Sequence, residues 1–203
     1  MDVLPSLSLA LDRALQLQID ETRKVVLRPL IEYIQQKVNA KAEINLNFIC
    51  THNSRRSQFS QIWAKVAAQS YGVTANSYSG GVEVTEFNPR AIASMRRLGF
   101  DIHKNGFSNP HYSVGITKDL SLNCFSKTFD DIHNPTDNFA AVMTCSHADE
   151  NCPFIPGAEA RIPVRYEDPK AFDDTEVEAQ KYDERSLQIA SEMFYTFSQI
   201  NKN

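Results

Sequence analysis

An α/β fold is predicted for this chain: a four-stranded parallel sheet in the order 2-1-3-4, flanked by helices and preceded by an N-terminal helical extension. Three observations predict it. Strand-like and helix-like segments alternate from Lys41 onward, the rhythm of a parallel sheet covered on both faces. A run ending at Cys50 is apolar enough for a central strand, and a short polar loop joins it directly to a helix, as at the ligand-binding edge of open α/β sheets.

In chain order, Leu7, Leu11, Leu15 and Ile19 stand four apart, and Val26, Leu30, Ile34 and Val38 continue the spacing. That is an amphipathic helical pattern, which Pro29 is expected to kink or divide. The character changes near Lys41, so 1–41 is read as the extension and 42–203 as the main domain. Ile44, Leu46 and Phe48 alternate before Ile49, as a strand entering a core does. Phe59, Ile62, Trp63 and Val66 then follow helical spacing from Ser57 to a Tyr71-Gly72 stop. Val73 to Ser79 is expected as a second strand, with Gly80-Gly81 as a turn, and Asn88-Pro89 opens a helix carrying Ile92, Met95 and Leu98 to Gly99. Residues 101–137 are harder to read; a short strand is expected at Val114–Ile116 and a helix at Lys127–Ile132. Phe139–Thr144 and Ala160–Tyr166 complete the strands, and Thr175–Ile200 is a closing helix.

Composition narrows the function. The 203 residues carry a net charge of −4, with lysines and arginines scattered, which argues against nucleic acid as a partner. No run approaches the roughly 18 apolar residues of a membrane span, and no signal-peptide pattern opens the chain, so a soluble cytoplasmic protein is expected. Its four cysteines are then expected to be reduced at rest, and reactive or metal-binding roles come forward.

The segment Cys50-Thr51-His52-Asn53-Ser54-Arg55-Arg56-Ser57 places an arginine six positions after a cysteine, with a serine following. Between a strand and a helix, such a loop turns successive backbone N–H groups toward one centre, and the helix N-terminus adds positive potential. Residues 51–56 (Thr51, His52, Asn53, Ser54, Arg55 and Arg56) are therefore the candidate oxyanion cradle. Arg56 is its bidentate clamp. The same field favours thiolate over thiol, so Cys50 is the candidate nucleophile; Ser57 can donate its hydroxyl to the sulfur, and Asn53 suits a left-handed position.

These residues resemble the low-molecular-weight protein tyrosine phosphatase superfamily. The likeness runs from about Ile44 to the end and includes the loop, Asn88-Pro89-Arg90-Ala91 and Glu167-Asp168-Pro169. It implies the phosphotyrosine phosphatase I-like fold and gives Asp168 the role of general acid. In Thr144-Cys145-Ser146-His147-Ala148-Asp149-Glu150-Asn151-Cys152-Pro153 the two cysteines are seven apart, which is similar to the thioredoxin-coupled arsenate reductases. That resemblance implies a relay: Cys50 attacks arsenate, Cys145 attacks the Cys50 adduct, Cys152 takes Cys145 into a second disulfide, and thioredoxin reduces it. It also implies no tightly bound cofactor.

The residues alone leave alternatives open. Cys145 and Cys152 are compatible with packing roles, or with zinc alongside His147, although the spacing fits no common zinc pattern. Without the relay, the loop and Asp168 describe a phosphatase; without chemistry, an anion or redox sensor. Cys124, His52, His103, His111 and His133 join no constellation. Many members of the family resembled carry a cysteine where Arg55 stands, and the glutamate by which some hold potassium is replaced by Gln61. Lys170 follows Asp168-Pro169, where tyrosine phosphatases often place an aromatic residue.

Overall fold

The computed structural model describes residues 3–151 and 154–202. Four parallel strands form the central sheet: β1 (Asn45–Cys50), β2 (Asn76–Gly81), β6 (Phe139–Met143) and β7 (Ala158–Pro163), in the order β2-β1-β6-β7. Renumbered within this sheet, that is the expected 2-1-3-4. Every residue of β1 and β6 is buried, as in strands covered on both faces; β6 is apolar throughout, whereas β1 also buries Asn45 and Asn47, whose carboxamide nitrogens donate to Asn138 O and Phe129 O. Fully burying Leu46, Phe48 or Ile49 contributes about 1.5–3 kcal/mol each.

Helices α3 (Arg56–Tyr71) and α6 (Glu178–Ser198) pack together beside this sheet. Trp63 is completely buried there, its indole Nε1 donating to Ser186 Oγ at 2.9 Å and its ring meeting Phe100 edge-on at 4.9 Å. Gly72 closes α3 in the left-handed conformation. Asn88 caps α4 (Pro89–Arg97) by accepting from the Arg90 and Ala91 amides, so the Asn-Pro signal acts as read.

The extension forms α1 (Ser8–Gln16) and α2 (Glu21–Asn39). The break falls at Leu17–Asp20, where Asp20 caps α2 by accepting from Arg23 N, and α2 continues through Pro29, which lies on an exposed face. The buried stripe is also rotated from the expected one: Leu7, Ala10, Leu11 and Ala14 are inside, while Leu15 is 47% exposed. Leu7, Ala10, Leu11 and Ala14, with Leu27, Leu30, Tyr33 and Ile34, belong to one core with the sheet and α6. Gly99 lets the extension lie against the end of α4, since a Cβ there would stand 2.1 Å from Ser6 O.

The middle of the chain departs most from expectation. Strands β3 (Ile102–Asn105), β4 (His111–Gly115) and β5 (Ser121–Cys124) form a separate antiparallel sheet of which only one strand was anticipated. Lys127–Ile132 is not helical; Thr128 bridges Gly81, and the Phe129 amide donates to Gly81 O, so pairing outside the segment wins over its local helical pattern. Gly80-Gly81 ends β2 rather than turning it. A Cβ on Gly80 would meet the Phe129 backbone at 2.4 Å, and one on Gly81 would lie 2.7 Å from Asn53 N.

Candidate active site

Cys50 ends β1, and β1 is flanked by β2 on one side and β6 on the other. Strand order reverses at this point, which opens a crevice at the carboxyl ends. Cys145 follows β6 on the same rim, and both sulfurs belong to a small apolar cluster with Ile49, Met143, Ala148 and Ile155. Cys50 is 4% and Cys145 1% exposed.

The loop is held from outside by its carbonyls. Thr51 O accepts from the Val82 and Glu83 amides, His52 O from Ser126 Oγ, Asn53 O from Gln58 Nε2, and Ser54 O from Asn88 N, all within 2.8–3.0 Å. Among the described residues no acceptor takes an amide N–H of residues 52–57. Together with the start of α3, these N–H groups form a candidate anion-binding nest. Asn53 sits at φ 46°, its carboxamide oxygen accepting from Lys127 N at 3.0 Å and its nitrogen donating to Ser57 Oγ at 2.8 Å. Ser57 Oγ lies 3.0 Å from Cys50 Sγ.

Side chains of the predicted cradle divide. Arg56 faces the site: Nη1 donates to Tyr166 O at 3.0 Å and Nη2 to Asp168 Oδ2 at 2.6 Å, while its buried Nε has no protein acceptor among the described residues. Arg55 turns away, its Nε donating to Tyr182 OH at 2.7 Å and its Nη2 pairing with Asp173. His52 pairs with Glu83 at 3.4 Å, and Ser54 Oγ donates to Glu86 O. Only the backbone of His52, Ser54 and Arg55 is thus left to an oxyanion. Thr51 points its hydroxyl instead at Cys145 Sγ, 3.5 Å away, and at His147 Nδ1, 3.3 Å away.

Asp168, the expected acid, caps a short 3₁₀ turn by accepting from Lys170 N, and Arg56 holds its other oxygen. Cys145 precedes α5 (Ser146–Asn151), and its sulfur accepts from Ala148 N at 3.4 Å. Asp149 on α5 is buried and pairs with Arg161 and Arg165. Cys152 lies outside the described residues. Cys124 is fully buried, and burial pushes its thiol up to about 12. Among the described residues no group of three or more His, Cys, Asp or Glu is gathered as a metal site, and no helix is long and apolar enough to cross a membrane.

Sequence reasoning missed the Phe125–Lys127 segment, which braces the loop: Phe125 O accepts from Gln58 Nε2, Ser126 Oγ donates to His52 O, and Lys127 N donates to Asn53 Oδ1. Lys127 is 3% exposed with its ammonium 4.6 Å over the Phe125 ring, and burial lowers its pKa. A lone lysine among uncharged neighbours from Leu120 to Phe129 was the available signal. Tyr166, whose carbonyl receives Arg56, was missed too. It is buried, and the Arg23 guanidinium of the extension stacks 4.8 Å from its ring while forking onto buried Glu192 through two 2.8 Å bonds.

No family model matches the chain. Over 122 residues it is 35% identical to arsenate reductase 1 of Staphylococcus saprophyticus, covering 60% of this chain and 76% of that relative. It is 37% identical over 122 residues to arsenate reductase 2 of Staphylococcus haemolyticus, with the same coverage of 60% and 76%. The chain belongs to the arsenate reductase family. Among solved structures, an arsenate reductase in its phosphate-binding state matches with a TM-score of 0.50 at 18% identity, over 78% of this chain and 99% of that one. A mutant of YwlE from Bacillus subtilis matches with a TM-score of 0.50 at 13% identity, over 77% of this chain and 98% of that one. Likeness at that identity establishes the shared fold, the one the sequence resemblance implied.

Proposed function

We propose that this protein is an arsenate reductase working through Cys50, Cys145 and Cys152, with thioredoxin restoring the thiols in the cytoplasm and no tightly bound cofactor. The observation that carries the reading is the contact between Thr51 Oγ1 and Cys145 Sγ, because Thr51 is the residue next to Cys50 and a phosphatase has no use for a second thiol against its loop. The part given to Cys152 rests on its seven-residue separation from Cys145.

Arsenate binds in the amide nest with Arg56 as clamp, its oxygens competing with Asp168 for the guanidinium. The Cys50 sulfur attacks arsenic, and an arsenate oxygen leaves as water with a proton from Asp168. Ser57 donates to the Cys50 sulfur before attack. The Cys145 thiolate then attacks the Cys50 sulfur: an S–S bond forms, the S–As bond breaks, and its electron pair stays on arsenic, which leaves as arsenite. Two thiols are oxidised as arsenic(V) becomes arsenic(III). Cys152 next displaces Cys50 from Cys145, and the reductant takes over the Cys145–Cys152 bond by the same exchange.

Arsenate-dependent NADPH oxidation in the presence of thioredoxin and thioredoxin reductase tests the reading. Turnover is expected for the parent and its loss for Cys50→Ser, Cys145→Ser and Cys152→Ser. The Arg56–Asp168 pair favours a second reading, a phosphatase in which water resolves the Cys50 adduct. Absence of NADPH oxidation with brisk hydrolysis of p-nitrophenyl phosphate would establish that alternative.

A further inference from the structure

We propose that His147, acting through the Thr51 hydroxyl, takes the proton of Cys145 when that thiol resolves the Cys50 adduct. The proposal rests on the reductase reading and adds a proton path to it. One hydroxyl lies within reach of both partners: Thr51 Oγ1 is 3.5 Å from Cys145 Sγ and 3.3 Å from His147 Nδ1. Exchange requires a thiolate, yet Cys145 is 1% exposed in an apolar cluster, where bulk water is not at hand to take a proton. The Ala148 amide, 3.4 Å from the sulfur, favours the anion once formed but accepts nothing.

The path balances without moving a heavy atom. The path starts from Cys145 S–H donating to Thr51 Oγ1 and Thr51 O–H donating to His147 Nδ1, a chain that both contacts allow. Moving each proton one place along leaves a thiolate that accepts from Thr51 and an imidazolium whose Nδ1–H donates to Thr51. The sulfur lone pair so freed forms the bond to Cys50. Threonine, rather than a residue that only donates or only accepts, suits this position because a hydroxyl does both. Nearby, His52 pairs with Glu83 at 3.4 Å, and Asp149 pairs with Arg161 and Arg165.

The experiment isolates the resolving step. In the Cys152→Ser background, one equivalent of arsenate is added, samples are quenched in acid, and the Cys50–Cys145 disulfide is followed by peptide mass mapping. His147→Asn keeps an acceptor oxygen near the Nδ1 position without a base. It is expected to slow disulfide formation on the order of a hundredfold, the usual scale for losing a general base, while sulfate affinity by calorimetry stays unchanged. His147→Ala should be slow in the same way and be restored by added imidazole. Thr51→Val should be slow, Thr51→Ser should recover, and adding His147→Asn to Thr51→Val should cost little more.

Disulfide formation at the parent rate in His147→Asn would overturn the relay alone. So would a slow variant that imidazole does not restore and whose sulfate affinity falls in parallel, since that marks a structural role. If the Cys152→Ser parent forms no arsenate-dependent disulfide, the reductase reading fails and the relay with it.

Discussion

The Asn53 carboxamide donates to the Ser57 hydroxyl at 2.8 Å, so the one proton that Ser57 owns is left for the Cys50 sulfur 3.0 Å away. A hydrogen bond to a charged group is worth about 1.5–3 kcal/mol. Ser57→Ala is therefore expected to slow attack on arsenate by roughly ten- to a hundredfold, measured by quenched-flow over a single turnover. An unchanged rate would remove Ser57 from the mechanism.

Arg56 reaches Tyr166 O and Asp168 with two different nitrogens, a planar fork that an ammonium cannot copy. Arg56→Lys should weaken sulfate binding by about tenfold or more, equivalent to about 1.4 kcal/mol. Calorimetry decides this, and equal affinity in the two proteins would count against the clamp.

The order in which the thiols act has its own signature. Cys152→Ser should release one arsenite and then accumulate a Cys50–Cys145 disulfide, whereas Cys145→Ser should form no such bond and release little arsenite. Peptide mass mapping after a single arsenate turnover separates the cases. A disulfide between Cys50 and any other cysteine would reassign the resolving residue.

Burial pushes the Cys124 thiol up to about 12, against about 8.5 for a free cysteine. With the folded pKa raised, this group's stabilising contribution is complete below about pH 8.5 and is lost as pH climbs toward 12, because the unfolded chain gives up its proton first. Parent and Cys124→Ala proteins should thus converge in stability between about pH 8 and about pH 10. Urea midpoints across that range test it, and a constant gap would exclude Cys124 from the alkaline loss.

Arg23→Met should leave Glu192, whose side chain is 2% exposed, without its forked partner. Removing one member of a buried pair costs about 3–5 kcal/mol; since Arg23 is itself 19% exposed, a loss on the order of 2–3 kcal/mol is expected. The paired replacement Arg23→Met with Glu192→Leu should recover part of it. Thermal unfolding checks both, and an unchanged midpoint in the single variant would mean that water reaches Glu192.

What the sequence disclosed follows from how local each signal is. Cys50 to Ser57 is one continuous segment whose chemistry and spacing coincide, so a candidate nucleophile, a candidate clamp and the helix start were all readable, as were the alternation in β1 and the apolar run of β6. The bracing segment was not: the roles of Ser126 and Lys127 depend on bonds to His52 and Asn53, 74 residues earlier. Helical spacing from Lys127 to Ile132 was outweighed by pairing with Gly81. The directions of Arg55 and His52 were equally invisible, because their partners Tyr182, Asp173 and Glu83 fix them from outside the motif. In the extension, four-residue spacing found the helices but placed Leu15 inside, since Ala10 and Ala14 fill the closely packed face instead.

Trp63 is the chain's only tryptophan, and it stands buried on the helix that Arg56 begins, tied to Ser186 of α6. Its emission is accordingly a single-site optical reporter on the seam between the helix that begins at Arg56 and the helix that anchors the extension. A shift in its wavelength or quenching on adding arsenate or sulfate would register strain passing through that seam, with no label attached to the protein.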